Sequence, residues 1–386
     1  MKNRFLSAIW ITSLCLVLCA CQRQKSIDDP QYDADIDLTA EIAASDISPS
    51  PPSVVLTPAP TPAITEVTLT CDDSAEYILS LRGNDMLKYV DASASTEYDA
   101  IVRLYQALPE SEIYWEYASD NFYISSQDSS IALASVENID IILNYFPEIK
   151  TIDLTQADVD SEFIDYCMNI RPDIDYIWTM KLFGEMIQTD IQCYSTLKSI
   201  GEGLIRYSDE DFAPLFKYCK HLRALDLGHN NLIDLTPIGT LSELQVLIIA
   251  DQPNLVDISP LAQLSNLMYL EMFMCYQVED FTPLSSLTKM QYINISKDRK
   301  CTDCSFLESM PDLKMAWLRD TGITKDMVAD FPDVEFLIGY FSDPSSTSYG
   351  WRSTDCNIAI RKAFTNWRKV VYFNNWSDIL YIDDSQ

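Results

Sequence analysis

The tetrapeptide CTDC, Cys301 to Cys304, places two thiols three residues apart. That spacing suits a disulfide, a dithiol redox centre or half of a zinc site, because both sulfurs can reach one partner. Zinc would want further soft ligands, and the chain holds only two histidines, His221 and His229, both far upstream of the cysteines. Nucleophilic catalysis needs a serine or cysteine beside a base and an orienting group. Both histidines instead lie close to the first strand of a repeat array described below and are expected at its surface. There is no HExxH motif, and no Gly-rich phosphate loop in a chain of 386 residues with nine glycines. Asp209 and Glu210, in YSDEDF, read as the first turn of a helix, where carboxylates favour the positive end of the dipole. No enzyme, cofactor or metal is expected, and a hydrolase built on two carboxylates is the least favoured alternative.

The elements that position these residues begin at the N-terminus. In MKNRFLSAIWITSLCLVLCACQ, Lys2 and Arg4 precede an apolar run from Phe5 to Ala20, shorter than the roughly 20 residues of a membrane span. It reads as an export signal. Its end, Leu18-Cys19-Ala20-Cys21, resembles the lipobox of bacterial lipoproteins. The resemblance implies that residues 1–20 are removed and that the Cys21 thiol carries a diacylglyceryl group. Two acyl chains, at about 0.8 kcal/mol per buried CH₂, anchor a protein stably. The expected location is the cell membrane, lipid-anchored and facing outside. Residues 21–66, which include SPSPPSVVLTPAPTPAITEV, have no sustained apolar period and read as a disordered tether. The formal charge of −31 argues against nucleic acid as a partner.

From Val67 to about residue 200 the chain is duplicated. LKYVDAS at 87–93 matches IKTIDLT at 149–155, and YDAIVRLYQALPESEIYW matches SEFIDYCMNIRPDIDYIW, so that Trp115 aligns with Trp178. Each copy reads as strand, helix, proline stop and strand, because the apolar period switches from two to 3.6 and back. A third, shorter copy is expected at LKMAWLRDTGITKDMVADFPDVEFLIGY.

Between residues 201 and 340 the pattern L-x-x-L-x-L-x-x-N recurs from Leu222, Leu244, Leu267 and Met290, at intervals of 22 or 23 residues. These copies, with returns LTPI, ISPL and FTPL, resemble the internalin-like leucine-rich repeats of exported bacterial lipoproteins of the Gram-positive type. The tail YGWRSTDCNIAIRKAF resembles the closing region of that group. The resemblance implies an α/β fold, a leucine-rich repeat solenoid with a parallel sheet on its concave face, here flanked by irregular strand-helix-strand repeats. Leu222, Leu225 and Leu227 need Leu244, Leu247 and Ile249 to stack upon, since one repeat cannot bury its own apolar edge. Asn230, Gln252, Cys275 and Asp298 fill the asparagine position. Cys301 and Cys304 fall in two return columns, beside Leu255 and Val278 and beside Ile258 and Phe281, where a free cysteine packs as a small hydrophobe.

The strand residues that alternate out of the core form the expected binding surface: Val246, Ile248, Tyr269, Glu271, Phe273, Tyr292, Asn294, Met315, Trp317 and Arg319. Aromatics and arginine on adjacent rungs suit an interface. The expected partner is an unknown protein or a cell-wall component. The competing expectation is that a neighbouring segment, such as residues 341–386, folds over this surface; these residues are expected to cap the last repeat, or, being locally basic, to touch anionic wall polymer. A structural envelope protein without a discrete ligand is the second functional reading.

Overall fold

The structure, a computed structural model, describes residues 64–196 and 205–340. The export signal, Cys21, nearly all of the tether and the closing segment 341–386 lie outside the described residues.

The chain advances as three-residue parallel strands joined by helical returns. β1 (Glu66–Thr68), β2 (Tyr89–Asp91) and β3 (Glu112–Tyr114) form one parallel sheet, with α1 (Ala75–Ser80) and α2 (Tyr98–Ala107) between them. An antiparallel hairpin follows, β4 (Glu116–Ser119) with β5 (Phe122–Ser125). The same order then recurs. β6 (Ser130–Ala132), α3 (Ile139–Tyr145), β7 (Thr151–Asp153), α4 (Ser161–Ile170) and β8 (Asp175–Ile177) precede a second hairpin, β9 (Thr179–Leu182) with β10 (Glu185–Gln188). Because side chains alternate along a strand, β2, β3, β7 and β8 each bury their middle residue: Val90, Ile113, Ile152 and Tyr176. The duplication extends to the hairpin clasps. The Trp115 main-chain N–H donates to Ser126 Oγ and the Trp178 N–H donates to Thr189 Oγ1, each at 3.1 Å. The hairpins themselves are absent from the sequence reading. Phe183 and Gly184, at the β9–β10 turn, both have positive φ (48° and 88°), the demand of a type I′ turn, but no Asn-Gly or Asp-Gly pair announces it.

The third sheet has seven parallel strands in chain order: β11 (Cys193–Ser195), β12 (Ala224–Asp226), β13 (Val246–Ile248), β14 (Tyr269–Glu271), β15 (Tyr292–Asn294), β16 (Met315–Trp317) and β17 (Glu335–Leu337). α5 (Asp209–Tyr218) lies between β11 and β12, α6 (Thr236–Gly239) between β12 and β13, and short 3₁₀ turns make the later returns. Leu225, Leu247, Leu270, Ile293 and Ala316 are in register and wholly buried. This is a leucine-rich repeat solenoid of the α/β class. The sheet opens at β11, ahead of residue 201, because Cys193, Tyr194 and Ser195 take a rung without its leucine signature. The segment expected to be a shorter strand-helix-strand copy supplies β16 and β17, joined by a 3₁₀ turn at Asp326–Val328.

The five returns that follow β12 to β16 each turn through a left-handed residue: His229, Asp251, Met274, Lys297 and Asp320 all have positive φ. The next residue closes the turn from inside. Asn230 Nδ2 donates to the Leu227 carbonyl at 2.9 Å, Gln252 Nε2 donates to the same carbonyl at 2.7 Å, Cys275 Sγ lies 3.4 Å from the Ile249 carbonyl, and Thr321 Oγ1 donates to Leu318 at 2.6 Å. Asp298 breaks the series. Its carboxyl oxygens are buried with no donor in bonding geometry among the described residues, and burial pushes its pKa well above the usual carboxylate range.

Cys301 and Cys304 are 1% and 8% exposed, in the return columns that hold Val278 and Phe281 one repeat earlier. Both are free thiols whose pKa is raised by burial, the reverse of what a nucleophile or metal ligand requires. CTDC is packing.

Candidate binding surface

The two residues flanking each central core residue point to the other side of the seven-stranded sheet. Val246, Tyr269, Tyr292 and Met315 line up in one column across β13–β16, and Ile248, Glu271, Asn294 and Trp317 in the next. Phe273 and Arg319 stand two residues beyond the second column in their rungs. The register therefore brings all ten expected residues onto one face. Alternation also predicts that they meet solvent, and here the structure corrects it. Val246, Ile248, Tyr269, Glu271, Asn294, Trp317 and Arg319 are buried, and Phe273, Tyr292 and Met315 are half-buried. Cys193, Ala224, Val246, Ile248, Ala250, Tyr269 and Trp317 form a second apolar cluster, separate from the leucine core. The period of a strand fixes which side a residue takes; it carries no information on whether that side is wet. The expectation that 341–386 covers this face concerns residues outside those described.

Charges sit within this layer. The Tyr269 hydroxyl donates to Glu271 Oε2 at 2.9 Å, and the Tyr269 and Tyr292 rings lie 6.4 Å apart. The Arg319 guanidinium is 5.7 Å from the Trp317 ring, a cation–π distance. Asp226, one strand earlier, accepts from Ser195 Oγ at 3.2 Å and from the Gly228 N–H at 3.1 Å. Buried charges are tolerated where they are paired, and none of Asp226, Glu271 and Arg319 lacks a partner.

Asp226 is a member of the surface that sequence reasoning missed. Its signal was present: Asp91, Asp153, Asp226 and Asn294 each close a strand and accept from the N–H two residues on. The recurring acid in YVDAS, TIDLT and ALDLG marks the same rung position through both halves of the chain.

The histidines stand apart from this layer. His221 Nε2 is 2.8 Å from Asp175, whose hydrogen bond raises the imidazole pKa, and His229 Nδ1 is 2.9 Å from Asp251, which also pairs with Arg206 at 2.7 Å. The polar partners of both imidazoles among the described residues are carboxylates. They tie rungs together. Among the described residues no cluster of three or more metal-type ligands occurs, and no helix is long and apolar enough to cross a membrane.

No protein-family model matches the chain, and no curated protein matches it. Solved structures do. Internalin C2 of Listeria monocytogenes aligns at 22% identity over 57% of this chain and 87% of its own length, with a TM-score of 0.28. A second Listeria monocytogenes internalin aligns at 13% identity over 70% of this chain and 65% of its own, with a TM-score of 0.31. A leucine-rich repeat protein of Leptospira interrogans aligns at 13% identity over 67% and 56%, with a TM-score of 0.30. The assignment of the fold rests on the strand register of β11–β17 and not on these likenesses.

Proposed function

We propose that this chain is a non-catalytic binding protein, lipid-anchored through Cys21 at the outside of the cell membrane, whose repeat array engages a protein or cell-envelope partner through its concave sheet face. One observation carries the reading: a layer of Tyr269, Tyr292, Trp317, Glu271 and Arg319 gathers on the sheet face opposite the leucine core. Tyr, Trp and Arg are the residues that dominate interface energies. Because the layer is buried, a partner reaches it only with an opening of that face, and slow association is expected. The burial equally favours the second reading, a structural envelope protein without a discrete ligand.

Binding of the chain from residue 22 to native envelope material separates the two. Saturable binding that protease treatment of the envelope or a Tyr292→Ala/Met315→Ala double change reduces supports a partner; non-saturable, uniform retention supports the structural role. Cys21→Ala should move the protein from the membrane pellet to the soluble fraction, and continued pelleting removes the anchor.

A further inference from the structure

The two copies of the duplicated unit differ at one atom. In the first, the buried Trp115 indole N–H donates to the Tyr145 carbonyl, at the last residue of α3, at 3.0 Å. In the second, the equivalent Trp178 is also buried, but its Nε1 has no acceptor among the described residues. A buried donor without a partner is rare in folded chains.

The acceptor is missing because the helix that should supply it has changed. α5 replaces α3, runs three residues longer and carries Pro214 in its interior. Its last residue, Tyr218, sets its ring edge-on against Trp178, with centroids 5.2 Å apart. Phe212, Leu215 and Phe216 take the buried face of α5. Glu210, Ala213, Pro214 and Lys217, at helical spacing on another face, border a cleft of about 620 Å³ whose wall includes Trp178. That volume is in the range of small-ligand sites.

Thr179, Met180 and Lys181 of β9 line the cleft consecutively. Successive strand residues point to opposite faces, so three in a row border one space where the strand presents its edge. β9 pairs with β10 on one side and has no other strand partner among the described residues. Lys181 and Lys217 balance Asp160 and Glu210 in the lining, and Lys217 is already paired with Asp165 at 2.6 Å. Neither a polyanion nor a polycation matches this balance.

We propose that the cleft between α5 and the β9–β10 hairpin binds an extended peptide segment, which lies along the free edge of β9 and offers a main-chain carbonyl to the Trp178 indole N–H. The first copy supplies the template, since there the same N–H takes a main-chain carbonyl. Adding a peptide to a sheet edge is a general mode of recognition. Trp178 borders the cleft while its N–H is closed to water as the chain stands, so the proposed bond requires the peptide to displace the side chains over it. The site is separate from the concave face, so neither reading depends on the other.

The test uses the chain from residue 22 with ¹⁵N-indole-labelled tryptophan and N-acetyl-leucine N′-methylamide as the probe. The Trp178 indole resonance, assigned by its disappearance in Trp178→Phe, should shift saturably with a dissociation constant of about 1 mM, the order expected for so small a ligand. The Trp115 resonance, whose N–H is already bonded, should stay in place. Met186 lines the cleft and is 64% exposed, so Met186→Glu should weaken the probe roughly fivefold with no change in thermal midpoint. No saturable shift of Trp178 up to about 50 mM, or equal shifts at Trp115, overturns the proposal. An affinity unchanged by Met186→Glu overturns the placement in the cleft. Loss of envelope binding through the sheet face would leave all of these outcomes as they are.

Discussion

The duplicated units before β11 and the regular repeats after it solve one problem with different parts. Both stack three-residue parallel strands that each send one residue inward. In the duplicated units the returns are helices of six to ten residues, and a hairpin interrupts the rungs after every third strand. In the regular repeats the returns shorten from α5 through α6 to 3₁₀ turns, the interruptions vanish and seven strands join one sheet. The hairpins, and not the length of the returns, therefore set where a sheet ends, since β11 and β12 pair across the ten-residue α5. Where the return is short and periodic, each rung rests on the next; where a hairpin intervenes, the sheet ends and another starts.

The largest effects should follow core truncation, and they should differ in reach between the two regions. Leu270→Ala, in the middle of the seven-stranded sheet, should destabilise by about 3 kcal/mol, the usual cost of a buried leucine side chain. Ile152→Ala, in the middle of β6–β8, should cost a similar amount. Hydrogen exchange should separate them. Loss of protection should spread from β14 to β13 and β15 in the first and stay within β6–β8 in the second, because a repeat array couples each rung to its neighbours. Equal spread in both would erase the distinction.

Asp298 is the point where the regular region departs from its own rule. Its neighbours in the turn series donate to a main-chain carbonyl; a carboxylate cannot, and the titratable groups near it include the buried thiols Cys275 and Cys301 and the Tyr276 phenol, all raised chiefly by desolvation. The folded-state pKa lies above the unfolded value near 3.9, so folding takes up a proton. That contribution is fully present below pH 4 and is lost as pH rises towards the folded pKa. Asp298→Asn should then stabilise the chain by about 2 kcal/mol at pH 7 and by little at pH 4, read by urea denaturation at both. A pH-independent difference would show that the site is not protonated.

A smaller effect bears on the two copies. Trp115→Phe removes a bonded N–H and strands the Tyr145 carbonyl, whereas Trp178→Phe removes a donor with no acceptor. Both lose the same volume. The first should be less stable than the second by about 1–2 kcal/mol, and equal losses would mean that the copies do not differ at this atom.

What could be read from residues alone follows the same division. Leucines at 22 or 23 residue intervals specify the stacked columns, and with them the buried positions of Cys301 and Cys304. The duplication was legible through Trp115 and Trp178, yet identical residues at matched positions concealed different hydrogen bonding, because the acceptor comes from a helix outside the matched segment. The hairpins escaped because their turns use Asp120-Asn121 and Phe183-Gly184 in place of the strongest turn pairs. Alternation puts the ten face residues on one side of the sheet, while their burial depends on what lies above it, and no local period encodes that.

The join between the two regions gives the smallest expected effect. His221 precedes β12 and reaches back to Asp175 at the start of β8, with Glu243 3.7 Å from its other ring nitrogen. The hydrogen bond to Asp175 raises the imidazole pKa above its usual value. A raised folded pKa gives stability that is complete below the unfolded pKa near 6.5 and is lost as pH rises through the folded value. Both side chains are 38% exposed, and solvent screening leaves only a few tenths of a kcal/mol. His221→Gln should therefore lower the denaturation midpoint slightly at pH 6 and leave it unchanged at pH 9. If the difference persists at pH 9, the contact joins the two regions by packing and not by charge.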